Sequence, residues 1–162
     1  MQVAKIKETN LEFTGLDRRN TTSAVVIHHT GNPTDDDLSA EEIHNSHKAQ
    51  GWAGIGYHYV VRKDGTIERG RPEKTIGAHA YGNNWHTIGI HVCGNFELAA
   101  PTAKQIEATA MLLANVCTRY HLTIDSAHVV GHRDLDATAC PGANLYSVLQ
   151  TIRGKAIWYQ QN

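Results

Sequence analysis

Cysteine, net charge and long apolar runs are all scarce in this chain. It has three cysteines in 162 residues, Cys93, Cys117 and Cys140, and an odd number without framework spacing argues against disulfides. The net charge is -1 and no basic stretch is present, so nucleic acid is not an expected partner. No apolar run approaches the roughly 18 residues of a membrane-spanning helix, so no membrane partner is expected either.

The beginning of the chain also lacks an apolar segment. Residues 1–10 read M-Q-V-A-K-I-K-E-T-N, without the hydrophobic stretch of a secretory signal, so we expect no signal peptide. We find no repeats, low-complexity stretches or linkers. With 41% hydrophobic and 19% charged residues, the chain has the composition of one globular domain that buries about 70% of its unfolded surface.

Local patterns alternate between strands and helices. Residues 24–29 begin with the apolar, mostly β-branched run A-V-V-I, a capping box opens at Ser39, and the Asp-Gly turn at 63–65 separates two strand-like runs. The patterns predict strands at 24–29, 57–62, 66–69, 88–92 and 129–130, and helices at 39–49, 101–120 and 145–152. Pro101 is expected in a first helical turn, and Gly154 is expected to end the last helix. This order predicts a single α/β domain with a central mixed β-sheet flanked by α-helices.

Histidine is unusually abundant, with eleven residues dispersed along the chain. His28 follows the apolar run at 24–27, and His132 lies eight residues before Cys140. Two imidazoles and a thiolate are a ligand set that holds a catalytic zinc and leaves one position for water. A strand turns consecutive side chains to opposite faces, so only one of His28 and His29 can face such a site. From the residues alone, packed core histidines and an inert buried thiol remain open as alternatives.

Five segments, read in order, resemble a known family. They are V-V-I-H-H-T at 25–30, G-I-G-Y-H-Y-V-V-R-K-D-G-T-I-E-R-G-R at 54–71, G-A-H-A-Y-G-N-N at 77–84, T-I-G-I-H-V-C-G-N-F at 87–96 and G-H-R-D-L-D-A-T-A-C-P-G at 131–142. In these segments the chain is similar to the zinc-dependent N-acetylmuramoyl-L-alanine amidases, whose fold is shared by phage lysozyme-type amidases and peptidoglycan recognition proteins. The resemblance covers most of residues 24–145.

The resemblance implies a metal site and its ligands. One Zn²⁺ per chain is expected to be held by His28, His132 and Cys140, and the second histidine of the pair on the strand is then structural. Asp134 and Asp136 lie near these ligands in the sequence. Each is expected either to accept a hydrogen bond from a ligand histidine or to cap the loop.

The same resemblance implies roles for four further side chains. Tyr57 matches a tyrosine that assists the attacking water, and Thr138 matches a position that donates to the developing oxyanion and holds lysine in some members. His79 matches a groove position near the metal. His91 stands where some intracellular members have a catalytic glutamate. Both histidines are expected to bind substrate, and for Tyr57 and His91 the alternative is a packing role.

The implied reaction is hydrolysis of the amide that joins the lactyl group of N-acetylmuramic acid to L-alanine. The expected partner is peptidoglycan or a muropeptide, and the expected chain is a monomer. We expect a phage endolysin, cytoplasmic until it is released to the cell wall, or a secreted enzyme if a signal has been removed. Residues 1–23 are predicted to form an N-terminal extension packed on a zinc amidase catalytic domain at 24–162.

Three other functions remain open at this stage. A recognition module would bind muropeptide without cleaving it, although members that lose activity typically replace the cysteine that matches Cys140. A cysteine peptidase would use Cys140 as its nucleophile, although such nucleophiles usually begin a helix and this one precedes Pro141 and Gly142. A zinc domain that regulates another protein is the third, and nothing in the sequence argues for it.

Overall fold

One mixed sheet organises the protein. The structure, a computed structural model, describes residues 1–162. The sheet has the order β1-β4-β3-β5-β2-β6, and every neighbouring pair is parallel except β3 and β4. Its strands are β1 (Ile6–Lys7), β2 (Ala24–His29), β3 (Tyr59–Val61), β4 (Ile67–Arg69), β5 (Thr87–Val92) and β6 (Val129–Gly131), and the helices are α1 (Ala40–Ala49), α2 (Ala103–Arg119), α3 (Ala143–Tyr146) and α4 (Leu149–Gln161). The predicted α/β domain with a central mixed sheet is confirmed.

The two faces of the sheet pack against two different hydrophobic clusters. Val25 and Ile27 of β2 belong to the large core cluster that contains the apolar faces of α2 and α4. A smaller cluster on the other face is formed by residues of α1, the loop that follows it and β3, together with Cys93 directly after β5. Because strand residues alternate between faces, His28 lies on the side of the smaller cluster. Its partner in the sheet register is His91 of β5, which in turn pairs with Val60 of that cluster.

The carboxyl ends of three parallel strands meet at one edge of the sheet. β2, β5 and β6 lie side by side in parallel, so the loops that follow them open on the same side. In open α/β sheets this edge is where ligands bind. The fold therefore places His28, near the end of β2, next to the turn after β6 that carries His132, although the two residues are far apart in sequence.

Capping residues determine where helices α1 and α2 begin. The predicted capping box of α1 is confirmed, because the Glu42 N–H donates to Ser39 Oγ at 3.1 Å and the Ser39 N–H donates to Glu42 Oε1 at 3.0 Å. The prediction for Pro101 is wrong, because α2 begins two residues later, at Ala103. Thr102 is the N-cap of α2, with a second capping box, so Pro101 precedes the helix instead of lying in its first turn.

The end of the chain departs from prediction at Gly154, which lies inside α4 and does not end it. The predicted last helix is divided into α3 and α4. Ile152 and Ala156, on either side of the glycine, are fully buried in the large core, and Arg153 donates to the Val129 carbonyl at 2.6 and 3.0 Å. Tertiary packing of this face outweighs the roughly 1 kcal/mol that glycine costs in a helix.

The first residues of the chain join the sheet. β1 pairs in parallel with β4, and the Ala4 N–H donates to Asn115 Oδ1 of α2 at 2.6 Å. The boundary at residue 23 between extension and catalytic domain remains a prediction.

None of the helices combines the length and the apolar character that crossing a bilayer requires.

Gly154→Ala is expected to stabilise the protein. A Cβ at this exposed helical position meets no atom within 4 Å, so alanine adds helix propensity without a clash. We expect the free energy of unfolding to rise by about 0.5–1 kcal/mol and the melting temperature by about 2–4 °C. The matched control is Gly56→Ala, whose Cβ would lie 2.0 Å from the Ala78 carbonyl oxygen. Calorimetry should show the control destabilised, and a Gly154→Ala variant that melts lower than the parent would contradict this reading of α4.

Candidate active site

Three donor groups meet at the carboxyl edge of the sheet. His28 is at the end of β2, His132 begins the short 3₁₀ turn directly after β6, and Cys140 follows in the loop that leads to α3. One ligand atom from each lies within 4.8 Å of the others. His28 is buried, at 1% exposure, whereas His132 and Cys140 are half-buried. The structure thus brings together the three residues that the sequence predicts as metal ligands.

The geometry of this trio fits a zinc ion. His28 Nε2 lies 2.8 Å from His79 Nδ1, and His132 Nε2 lies 2.8 Å from Asp136 Oδ2, so Nδ1 of each ligand histidine is left for a metal. His28 Nδ1 is 3.7 Å from Cys140 Sγ. Zn–S and Zn–N bonds of about 2.3 and 2.05 Å at a tetrahedral angle separate sulfur and nitrogen by about 3.6 Å. The donor set, its spacing and its outer hydrogen bonds therefore suit zinc.

The two aspartates near the ligands have different partners. Asp136 holds the ring of His132, as described above, and orients it. Asp134 instead accepts the Gly131 N–H at 2.9 Å and the Tyr146 hydroxyl at 2.6 Å. The sequence leaves two roles open for each aspartate. Asp136 takes the first, accepting a hydrogen bond from a ligand histidine, and Asp134 takes the second, capping the loop.

The environment of Cys140 does not suit a nucleophile. Burial raises the pKa of its thiol to about 12, against a smaller lowering effect of the His29 N–H, which donates to Sγ at 3.4 Å. Nucleophilic cysteines have lowered pKa values, whereas a thiol that ionises on meeting a cation is an ordinary metal ligand. Cys140 also lies outside α3, which begins at Ala143. These observations argue against a cysteine peptidase.

His29 faces away from the three donors. Its Nδ1 accepts the Phe96 N–H at 3.1 Å, and its ring stacks on Phe96 with centroids 6.1 Å apart. Phe96 belongs to the large core cluster. The alternation along β2 therefore turns His28 toward the site and His29 toward the opposite face.

Tyr57 and Thr138 both line the cleft beside the three donors. Tyr57 comes before β3, and its ring centroid lies 5.0 Å from that of His28. Burial raises the pKa of its phenol, with Cys140 as a smaller cause, so the phenol is protonated at neutral pH. Thr138 is exposed, and its Oγ1 accepts the Cys140 N–H at 3.2 Å. Because that oxygen is already an acceptor, its hydrogen is left to donate into the cleft.

The two histidines predicted to bind substrate are placed differently. His79 lines the cleft, but its Nδ1 faces His28 Nε2 and its Nε2 lies 3.4 Å from Thr87 Oγ1, which leaves no ring nitrogen for a substrate. The structure does not bring His91 to the cleft. It is 2% exposed, its ring centroid is 4.6 Å from that of Tyr57, and its Nε2 is 2.9 Å from Thr30 Oγ1. Burial lowers the pKa of His91 to about 3.

Two side chains of the site escape prediction from the sequence. His47 is half-buried, and its ring centroid lies 4.5 Å from that of Trp52 and 5.7 Å from that of Tyr57. Its Nδ1 accepts the Gly56 N–H at 3.0 Å. Trp52 itself is 41% exposed and lines the cleft. For His47 the available signal is its position four residues after Ile43, on the buried face of α1. For Trp52 it is the short glycine-rich loop at 51–56 that follows this helix and leads to Tyr57.

The cleft above the donors has a volume of about 640 Å³. Trp52, Tyr57 and Tyr81 contribute aromatic surface, and His132 and Thr138 lie on the wall formed by the loop after β6. No lysine or arginine lines it. A hollow of similar size, about 680 Å³, lies between the N-terminal segment, β4 and α2. It contains none of the three donors, so we assign the chemistry to the smaller cleft.

Comparison with known proteins agrees with this geometry. The family described as N-acetylmuramoyl-L-alanine amidase matches residues 18–143. An endolysin of Enterobacteria phage T3 is 32% identical over 132 residues, which make up 78% of this chain and 85% of that protein. Peptidoglycan recognition protein 1 of Bos indicus is 34% identical over 134 residues, 78% of this chain and 70% of its own length. The solved structure of the N-acetylmuramoyl-L-alanine amidase LysC from Clostridium intestinale URNW superposes with a TM-score of 0.84 at 37% identity, covering 93% of this chain and 96% of the other. The chain therefore belongs to the N-acetylmuramoyl-L-alanine amidase family.

Proposed function

We propose that this protein is a zinc-dependent N-acetylmuramoyl-L-alanine amidase that cleaves the amide between the lactyl group of N-acetylmuramic acid and L-alanine in peptidoglycan. The observation that carries the proposal is the convergence of His28, His132 and Cys140 within 4.8 Å, beside a cleft large enough for part of a muropeptide. One zinc ion per chain, when bound, polarises a carbonyl and activates water at neutral pH. The residues around the site orient the attacking water, donate hydrogen bonds to the developing oxyanion and protonate the leaving amine.

Tyr57 supplies a hydrogen-bond donor next to the metal site. Its phenol is protonated at neutral pH and lines the cleft beside His28. We assign it two tasks, namely orienting the attacking water and donating to the oxygen on which negative charge develops. Because both nitrogens of His79 are committed to hydrogen bonds within the protein, Tyr57 is also the better placed of the two to protonate the leaving amine, and solvent in the cleft then returns a proton to its phenolate.

Thr138, which also lines the cleft, supplies a second donor. The Cys140 N–H fixes its oxygen, and its own hydrogen then points away from that bond. A neutral hydroxyl stabilises a developing oxyanion less than an ammonium does, so its contribution is smaller than that of a lysine at the same place.

The cleft suits a polymer of sugar and peptide. It presents the aromatic surface of three side chains together with the polar groups of His132, Asp136 and Thr138, a combination typical of sites that orient an amphipathic ligand through a few fixed polar contacts. Similarity to endolysins over 85% of the phage T3 relative supports a role in lysis of the cell wall after release from the cytoplasm. A monomer is expected, since one chain supplies the whole donor set.

The alternative is a module that binds muropeptide without cleaving it, as the similarity to a peptidoglycan recognition protein allows. Such a module needs the cleft but has no need of the complete donor set. All three donors, and the hydrogen bonds that orient both histidines, are present in this chain. We therefore favour a catalytic amidase over a module that only binds muropeptide.

The proposal is tested by digesting purified peptidoglycan and identifying the products by mass spectrometry. An amidase releases stem peptides with a new L-alanine N-terminus and leaves intact glycan strands. Cleavage within the glycan or within the stem peptide would contradict the assignment. Binding to peptidoglycan without any product would favour the recognition module.

Trp52→Ala is expected to weaken substrate binding more than turnover. The indole is fixed against His47 and exposes one side to the cleft, so it offers a rigid apolar platform. Removing it should raise KM for a soluble muropeptide about tenfold, equivalent to about 1.4 kcal/mol, and change kcat by less than about threefold, as expected for uniform binding. Trp158→Ala, at an exposed tryptophan of α4, is the control. A lowered kcat with unchanged KM would refute the platform role.

A further inference from the structure

His28, which ends β2, is joined to a line of hydrogen bonds that runs away from the cleft. His28 Nε2 lies 2.8 Å from His79 Nδ1. His79 Nε2 lies 3.4 Å from Thr87 Oγ1, and the Thr87 hydroxyl donates to the Asn83 carbonyl at 2.7 Å. The line therefore begins at a backbone carbonyl and ends at a ring that is one of the three metal donors.

The carbonyl gives this line a direction. A carbonyl oxygen can only accept a hydrogen bond, so at 2.7 Å the proton of the Thr87 hydroxyl lies toward Asn83. Thr87 Oγ1 is then an acceptor for His79, whose proton must be on Nε2. His79 Nδ1 is consequently an acceptor too, and the bond between the two rings has His28 Nε2–H as its donor.

The direction decides whether His28 can bind a metal. A neutral imidazole carries one proton. With that proton on Nε2, His28 Nδ1 has a lone pair, and this is the atom that lies 3.7 Å from Cys140 Sγ. In the reverse direction Thr87 would donate to His79 and His79 to His28. The proton of His28 would then be on Nδ1, where it blocks coordination.

The surroundings hold this line in place. Thr87 is fully buried, and Asn84 Oδ1 accepts the N–H groups of His79 and Ala80, both at 2.9 Å. The His79 ring lies flat against Gly89, where an added Cβ would come within 2.6 Å of its Cγ. Close packing against Gly89 therefore fixes the position of the His79 ring on the sheet.

We infer that Thr87 and His79 are positioning residues that set the tautomer of His28 and so prepare it as a metal ligand before any metal arrives. The inference rests on the proposed function, because a ligand role for His28 gives the tautomer its consequence. Outer hydrogen-bond partners of ligand histidines typically change metal affinity by about 10–100-fold when they are removed. Here the partner is a second histidine whose own tautomer is dictated by a threonine.

The tautomers can be read directly in metal-free protein. Two-bond ¹⁵N–¹H correlation spectra of the imidazoles distinguish Nδ1–H from Nε2–H rings without any need for activity. We expect both His28 and His79 to be Nε2–H tautomers. An Nδ1–H tautomer at either ring would overturn the inference.

Thr87→Val tests the origin of the direction, since it removes the hydroxyl and nearly preserves the shape of the side chain. Zinc affinity, measured by competition with a chelator, should fall about 10–100-fold, and the His28 signal should show a mixture of tautomers. Thr87→Ser, which restores the hydroxyl, should bind zinc within about threefold of the parent. Unchanged affinity in Thr87→Val would overturn the role of Thr87. If the parent itself failed to bind zinc, the proposed function would fall, while the tautomers of the metal-free protein would still decide the inference.

Discussion

Replacing Cys140 with alanine is expected to remove both the metal and the hydrolysis. The thiol is one of three donors, and its loss leaves two imidazoles, a set that holds zinc much less tightly. Without the metal the reaction loses several kcal/mol of transition-state stabilisation, which corresponds to a fall in kcat/KM of at least about 10³-fold. Zinc content should be measured by atomic absorption and activity by release of stem peptides.

Cys117→Ala is the matched control for this variant. Cys117 is a buried cysteine of α2 in the large core cluster, so its truncation removes a sulfur without touching the site. We expect it to cost about 1 kcal/mol of stability and to keep one zinc per chain with normal turnover. A Cys140→Ala variant that still cleaved peptidoglycan at the parental rate would show that the ligand assignment is wrong.

Tyr57→Phe is expected to keep the zinc and lose most of the turnover. The substitution removes one hydroxyl and leaves the ring that packs between His28 and His91. Loss of a single donor to a developing oxyanion typically costs about 10²–10³-fold in kcat. Because Tyr57 is not among the three donors, zinc affinity should change by less than about threefold. The comparison of kcat with zinc affinity therefore separates its role from that of Cys140.

Tyr159→Phe provides the corresponding control. Its hydroxyl donates to Glu107 on the far side of the protein, between α4 and α2, so the same chemical change occurs away from the cleft. Turnover should remain near the parental value. If Tyr57→Phe were equally active, Tyr57 would serve only as packing, the alternative that the sequence leaves open.

The sequence predicts most of this fold because its signals are local. The apolar run of β2, the capping box at Ser39 and the Asp-Gly turn before β4 all specify their elements within a few residues, and the structure has each of them. The prediction for Gly154 is wrong because the opposing effect is not local. Its helix is held by burial of Ile152 and Ala156, residues whose partners on α2 lie far away in the chain.

In the site, too, local sequence signals predict some features, whereas contacts between distant segments decide others. Alternation along β2 limits the site to one of His28 and His29, and the resemblance to a family selects His28 and implies the full ligand set with His132 and Cys140. The hydrogen-bond partners of the ligands were harder to predict. His79 reaches His28 across 51 positions of sequence, and no pattern within its own segment specifies that contact. Likewise His47 lies four residues after Ile43 on the buried face of α1, but the helix itself does not specify that the loop at 51–56 brings Trp52 and Tyr57 against it.

The central claim is that one zinc ion, held by this chain, is required for amide cleavage. The most direct measurement follows release of L-alanine-terminated stem peptides from peptidoglycan by protein of known zinc content, before chelation, after chelation, and after stepwise return of zinc. The account predicts that activity disappears on chelation and recovers in proportion to zinc until one equivalent per chain is bound. Full activity in protein shown to be free of zinc would contradict it.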